Sequence, residues 1–290
     1  MTIPTPAAVA ASREPLTAAQ FAGIVGPTRQ LSRLEVLDTS PSTNTALLRA
    51  LAEAPADWPH LSGIVADHQT AGRGRAGRVW ATPRGAALTV SLVLRPERIA
   101  PAALGWAPLV AGLATVNALR GLGAGAYLKW PNDVVVEAGA KDIPGWGRWR
   151  KVVGILCEGV PSRALVGDSA VVAGIGINVS QSSAELPVPH AASLATLGAT
   201  DLDRVRLMRS LAVHLRDAVA AWEGESADDG IRPDIERVCA TIGWEVAVDM
   251  LDGAPVTGRA VGLSGTGALL VDTGAGVREV VAGDVRVRRG

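Results

Sequence analysis

Residues 69–80 read QTAGRGRAGRVW, with three arginines and three glycines in the seven positions from Gly72 to Arg78. Glycines let backbone N–H groups approach an anion closely, and each guanidinium offers a planar fork matched to carboxylate or phosphate. Arg73, Arg75 and Arg78 are therefore candidate anion ligands. Compact cations are rarer: of 28 basic side chains only Lys129, Lys141 and Lys151 are lysines. Where cation type is indifferent this chain uses arginine, so Lys129 and Lys151 mark positions that call for a small ammonium. Fixing backbone costs about 1–2 kcal/mol per residue, and each hydrogen bond to a charged group returns about 1.5–3 kcal/mol. The bound anion is therefore expected to order the loop.

Other phosphate motifs share this spacing and fail on context. Gly72, Gly74 and Gly77 satisfy G-x-G-x-x-G, but that fingerprint must open a helix and needs an acid about 20 residues on. The chain continues instead as RVWATPRGAALTVSLVL, extended and proline-broken. Walker A spacing is also present, yet Arg78 and Val79 stand where Lys and Ser/Thr should be. An RGG-type RNA-binding segment would repeat and lie in a disordered context. A solvated basic turn is the bland alternative, and three further segments weigh against it: STNTALL at 42–48, KWPNDVVVE at 129–137, and KVVGILCE at 151–158 followed by GIGINVS at 174–180.

The elements that must position these segments read as an α/β fold. Strand patterns occur at GIVADH, LTVSLVL, DVVVE, VVGILCE and AVVAGIGINV, with helices near 44–53 and 104–120. A helix over 203–222 places Val205, Met208, Ala212, Leu215, Val219 and Trp222 on one face, a core stripe. Residues 1–33 read as a tail with one short helix near 18–25, too little for a winged DNA-binding domain. After the polar stretch EGESADDG and a short helix around Ile235, short strands divided by Gly and Asp turns describe a small β-barrel over 240–290.

Composition narrows the class. With 290 residues, 48% of them hydrophobic, the chain can bury a substantial core. Basic and acidic residues both number 28, which argues against a long nucleic-acid footprint. The uncharged run 99–119 is long enough for a membrane span, but prolines and glycines interrupt it and a buried helix is expected. The start of the chain lacks the features of a signal peptide. Cys157 and Cys239 read as inert core thiols, the first in a strand and the second in a helix, and four scattered histidines make no metal cluster. A reducing, cytoplasmic setting is expected.

GRGRAGRVW, KWPND, KVVGILCE and GIGINV, in that order and after STN, resemble the catalytic domain of the biotin protein ligases, over about Leu34 to the end of the chain. The resemblance implies a mixed sheet like that of class II aminoacyl-tRNA synthetases, a catalytic domain over 34–226 and an SH3-like C-terminal domain. It implies that ATP with Mg2+ activates biotin to biotinyl-5′-AMP, which then passes to one lysine of a biotin carboxyl carrier protein. Larger family members add a winged helix, so a ligase without a DNA role is expected, monomeric or a weak homodimer.

Site roles come with the match. Lys151 corresponds to the lysine that contacts carboxylate and phosphate. Arg73, Arg75 and Arg78 hold anions, and Arg75 retains the adenylate. Ser42, Thr43, Asn44 and Gln69 face the ureido group, although Ser42 and Thr43 also suit a helix N-cap. Gly72, Gly154, Gly174 and Gly176 allow close packing of ring and tail. Lys129, Asn132, Asp133 and Asn178 fall at the nucleotide end, Asp133 also near the acceptor lysine, although PND equally suits a turn. Trp80 and Trp130 pack beside the site, Trp80 at its nucleotide end. The segment EAGAKDIPGWGRWR is longer than the family's short hairpin, and within it Lys141 competes less well than Lys151 for the catalytic position. Lipoate or octanoate transfer is the nearest rival, but its RRxxGGGxVxHD-type signature is absent. A noncatalytic small-molecule sensor is the other.

Overall fold

The computed structural model describes residues 4–138, 141–160, 165, 169–224, 230–250 and 253–288. Most of the polar stretch at 223–230 and part of the segment before Lys151 lie outside them. Seven strands form one sheet in the order β1-β2-β3-β7-β6-β5-β4. They are β1 (Arg33–Ser40), β2 (Ser62–Gln69), β3 (Ala87–Leu94), β4 (Ala126–Lys129), β5 (Asp133–Glu137), β6 (Trp149–Gly159) and β7 (Val171–Asn178). Only β1 and β2 run parallel; every other neighbouring pair is antiparallel. The sheet is mixed, as expected.

Side chains on a strand alternate between faces, and the two faces carry different cores. On β3 and β7, Val93 and Val172 pack with Leu47 and Leu51 of helix α3 (Thr43–Glu53). Their neighbours Leu92, Leu94, Val171 and Ala173 join the larger core under α4 (Ala107–Gly121) and α5 (Arg204–Trp222). Helix α4 contains residues 107–119 of the uncharged run and is buried along most of its length, so its apolarity serves the core. The expected stripe on α5 is buried at Met208, Ala212, Leu215, Val219 and Trp222, with Val205 packed against it.

The N-terminal region departs from a tail with one short helix. Helices α1 (Pro6–Ser12) and α2 (Ala18–Phe21) are both present, and Phe21 is buried. Arg204 fastens the segment between them by donating to Ser12 O at 2.9 Å and Glu14 O at 2.7 Å. Helix α6 (Arg232–Val238) ends at Cys239, which is an extended cap residue and not helical as expected. Then β8 (Glu245–Asp249), β9 (Val256–Leu263), β10 (Leu269–Asp272), β11 (Val277–Val280) and β12 (Asp284–Val287) form an antiparallel sheet in the order β11-β10-β9-β8-β12. This small unit packs against the first through two indoles: Trp106 Nε1 donates to Gly265 O and Trp130 Nε1 to Gly267 O, at 2.9 and 3.0 Å.

Candidate active site

The strand alternation that buries Val172 under α3 continues along β7 as Gly174, Gly176 and Asn178 on the same face. Register sets Ser91 and Leu156 beside Gly174, and Thr89 and Gly154 beside Gly176. Past the N-terminus of α3, the apolar floor therefore becomes a floor of glycines and hydroxyls. Above it lies a cavity of about 360 Å³. Its walls include every candidate binding residue from the sequence except Gly72.

The glycines make room for the protein's own side chains, which differs from the expected direct contact with a ligand ring. A Cβ at Gly174 would collide with the Asn44 amide, and one at Gly176 or Gly154 would lie 2.6 or 2.9 Å from the Trp80 indole. Trp80 thus packs on the floor, and its Nε1–H is buried with no hydrogen-bond partner. Gly72 is outside the cavity, and a Cβ there would collide with the Trp80 carbonyl and lie 2.9 Å from Gln69 Nε2. Its role is to let the two ends of the arginine loop meet, where Trp80 N donates to Gly72 O at 2.9 Å.

At the start of α3, Ser42 is the N-cap, accepting from Thr45 N at 3.4 Å. Thr43 N and Oγ1 both donate to Gln69 Oε1, at 2.8 and 3.1 Å, and Ser91 Oγ donates to Thr43 Oγ1 at 2.7 Å. Asn44 Nδ2 donates to Leu156 O and to Glu158 Oε2. The result is a polar rail along one side of the cavity, with Val90, Ile155 and Ile175 supplying apolar wall.

Beyond the rail the wall is cationic. Arg73 pairs with Glu158 at 2.7 Å and Arg78 with Asp284 of β12 at 2.6 Å, while Arg75 Nη1 donates to Asn132 Oδ1 at 3.0 Å. The loop is therefore already held by protein carboxylates and an amide, and the expectation that a ligand alone orders it does not hold. Glu158 and Asp284 occupy the positions of anions on these guanidinium forks. Ala76 and Gly77 adopt φ of +52° and +71°, the left-handed geometry that bends the loop over the cavity.

Lys151 Nζ lies 2.5 Å from Asp133 Oδ1, where β5 and β6 pair. Burial would raise the Asp133 carboxyl, but the neighbouring Lys151 and Lys129 hold it below its usual value as an anion. Burial pushes Lys129 down, opposed by Asp133, and it also lowers Arg75. Asn178 commits its amide to the chain just beyond it, donating to Ala192 O at 3.1 Å and accepting from Gln181 Nε2 at 2.8 Å. Lys141 is not on the cavity wall. Trp130 is buried under the C-terminal unit, beside the site.

The chain matches the model of the biotin/lipoate A/B protein ligase family over residues 36–178 and that of the biotin protein ligase C terminal domain over 241–288. It is 35% identical over 268 residues to the biotin--[acetyl-CoA-carboxylase] ligase of Mycobacterium tuberculosis, covering 90% of this chain and 91% of that protein. The chain belongs to the biotin protein ligase family. The bifunctional ligase/repressor BirA of Escherichia coli is 32% identical over 265 residues, covering 87% of this chain and 73% of that one. A solved biotin protein ligase from Aquifex aeolicus, in complex with biotin and ATP, superposes with a TM-score of 0.68 at 28% identity, covering 90% of this chain and all of the other.

Within this biotin protein ligase, sequence reasoning missed four side chains that the fold brings to the site. Glu158 and Asp284 are the carboxylates on the arginine loop, and His190 lies on the cavity wall with Trp146 stacked against it. The length of the segment before Lys151 pointed toward Trp146, whereas His190 carried no local signal.

Proposed function

We propose that this cavity activates biotin with ATP, forming biotinyl-5′-AMP and pyrophosphate, and then transfers biotin to one lysine of a biotin carboxyl carrier protein. The carrier domains belong to acetyl-CoA carboxylase and related carboxylases. The observation that carries this reading is the convergence of Arg73, Arg75, Arg78, Lys129 and Lys151 on one cavity that also has a polar, partly apolar end. Activation must bring a carboxylate to an α-phosphate, and two anions repel. A unit charge at 4 Å is worth about 4 kcal/mol at an effective dielectric near 20, against about 1 kcal/mol in water. A partly buried ammonium between the anions therefore lowers the barrier, and Lys151, aimed by Asp133, is that group.

The rail of Ser42, Thr43 and Gln69 suits the ureido group. Arg73 and Arg78 exchange protein carboxylates for substrate anions, and Arg75 draws the loop down onto Asn132, excluding water from the mixed anhydride. Mg2+ suits the triphosphate: the described residues hold no group of three acidic, His or Cys ligands, so the protein would add at most the Asp133 carboxylate to the phosphate oxygens around the ion. In the second step the carrier amine attacks the anhydride carbonyl, the bond to the phosphoryl oxygen breaks and AMP leaves. Asp133 is placed to receive that lysine as an ammonium; one proton leaves to solvent before attack, and a second leaves to solvent as the amide forms and AMP departs as the phosphate anion.

We assign the ligase core to 34–226 and the C-terminal domain to 240–290, after an N-terminal segment of 1–33. Cys157 and Cys239 are free thiols, and burial pushes Cys157 up to about 12, which leaves it unreactive; we place the ligase in the cytoplasm. The test combines the protein with biotin, MgATP and a purified carrier domain and measures mass and pyrophosphate. One lysine of the carrier should gain one biotinyl group. Lys151→Ala should slow pyrophosphate release about 10²-fold or more; an unchanged rate would remove Lys151 from the mechanism.

A further inference from the structure

The connection between β5 and β6 brings an indole up behind the cavity wall that the mechanism above does not use. Trp146 sits in a turn closed by Trp146 N and Gly147 N, both donating to Ile143 O, at 2.9 and 2.8 Å. Gly145 and Gly147 hold φ of +76° and +56° there, which a larger residue would resist. Val287 N of the C-terminal unit donates to Gly145 O at 3.0 Å and anchors the turn. The Trp146 ring lies stacked on the His190 imidazole, with centroids 4.1 Å apart and planes 10° apart. Lys129 Nζ is 4.5 Å from the centroid of the same indole.

His190 is part of the cavity wall and Trp146 is not, so the imidazole is the exposed leaf of the stack. Its position is tied to the catalytic strand, because Lys151 N donates to His190 O at 2.7 Å. Burial, with Lys151 and Lys129 adding to it, lowers His190 to about 4, so the ring is neutral at working pH. A flat, uncharged π surface thus stands among the cations that hold phosphates.

Of the two small substrates only the nucleotide has a large aromatic plane. The polar rail at Gln69 is on β2, and the stack adjoins Lys151 on β6, with β3 and β7 between them. At about 4.8 Å per strand the two are roughly 14 Å apart, the separation expected of opposite ends of one biotinyl nucleotide.

We propose that His190, held flat by Trp146, stacks on the nucleotide base, and that the extended β5–β6 connection thereby sets this ligase's preference for a purine triphosphate. The proposal rests on the ATP-activating reading of the cavity. His190 is the contacting group and Trp146 a positioning residue.

The test measures ATP and CTP binding by calorimetry, and pyrophosphate release against ATP, CTP and biotin, for the unsubstituted protein and three variants. Base–aromatic stacking predicts that His190→Ala raises the KM for ATP about tenfold, with kcat within about twofold and the biotin KM unchanged. Trp146→Ala should shift ATP the same way by about threefold, and Trp146→Phe, which keeps a ring behind the imidazole, should restore it. Preference for ATP over CTP should narrow in step. An unchanged ATP KM in His190→Ala, an equal rise for ATP and CTP, or a rise in the biotin KM overturns the stack. If the unsubstituted protein releases no pyrophosphate, the ligase reading itself fails, while ATP binding by the same variants still decides the stack.

Discussion

The molecule holds two sets of arginine–carboxylate contacts whose chemistry is alike and whose surroundings are opposite. Arg204 and Asp67 are 1% and 3% exposed in their side chains and lie 2.6 Å apart. Their remaining capacity is filled by Ser12 O, Glu14 O and the Leu16 N–H. Arg73–Glu158 and Arg78–Asp284 have side chains 44% and 25%, and 57% and 51%, exposed, and water reaches both. A buried pair cannot be opened without stranding a charge, whereas an exposed pair exchanges its carboxylate for another anion at little cost. The buried pair suits a permanent clasp, here on the N-terminal segment, and the exposed pairs suit a site that must release one anion to take another.

The largest test breaks the clasp. Asp67→Asn should destabilise the protein by about 3–5 kcal/mol, because the Arg204 guanidinium would remain buried without its counter-charge. Replacing both at once, with Asp67→Leu and Arg204→Met, should cost less than Asp67→Asn alone. Denaturant unfolding measures this, and turnover per folded molecule should be preserved since neither residue is on the cavity wall. A loss below about 1 kcal/mol for Asp67→Asn would erase the distinction between the two sets.

The comparison also explains what the sequence could and could not disclose. The strands GIVADH, LTVSLVL and AVVAGIGINV were legible because their apolar runs are local, and the five C-terminal strands because glycine and aspartate turns punctuate them. The cavity floor was legible as motif: Gly154, Gly174 and Gly176 announced that something must pack closely, although not that Trp80 and Asn44 would be the occupants. The clasp was hidden, since Arg204 meets Asp67 across 137 residues of chain and a helix as short as α1 has no strong signal of its own. Asp284 was hidden for the same reason, 206 residues from Arg78. Loop expectations failed where they treated the arginines as free, because their partners arrive from distant strands.

Arg75 stands between the two extremes. It is partly buried, burial lowers it, and it donates to the neutral Asn132 and not to a carboxylate. Such a bond is worth about 1.5–3 kcal/mol, enough to hold the loop against the β4–β5 turn. Arg75→Gly should therefore leave pyrophosphate release within about tenfold while biotinyl-5′-AMP escapes ten- to a hundredfold faster, a ratio that comes from the same energy. Rapid filtration of enzyme loaded with labelled biotin measures the escape, and labelling of lysines on a bystander protein reports it independently. Equal retention of the adenylate by variant and parent would show that the loop closes without this contact.

The smallest expected effect sharpens the comparison most, because it predicts a sign. An exposed pair such as Arg78–Asp284 contributes at most about 1 kcal/mol to stability, so Arg78→Ala and Asp284→Ala should each leave unfolding within that margin. If the pair is an exchangeable one, Asp284 competes with phosphate for the guanidinium. Removing Asp284 then frees Arg78 and should lower the KM for ATP a few-fold, whereas removing Arg78 should raise it by a similar factor. Both effects should shrink as salt is raised and the charges are screened. A pair that merely fastened the C-terminal unit to the loop would make both substitutions act alike, raising the KM together. Opposite signs at low salt can arise only if the carboxylate stands where a substrate anion will.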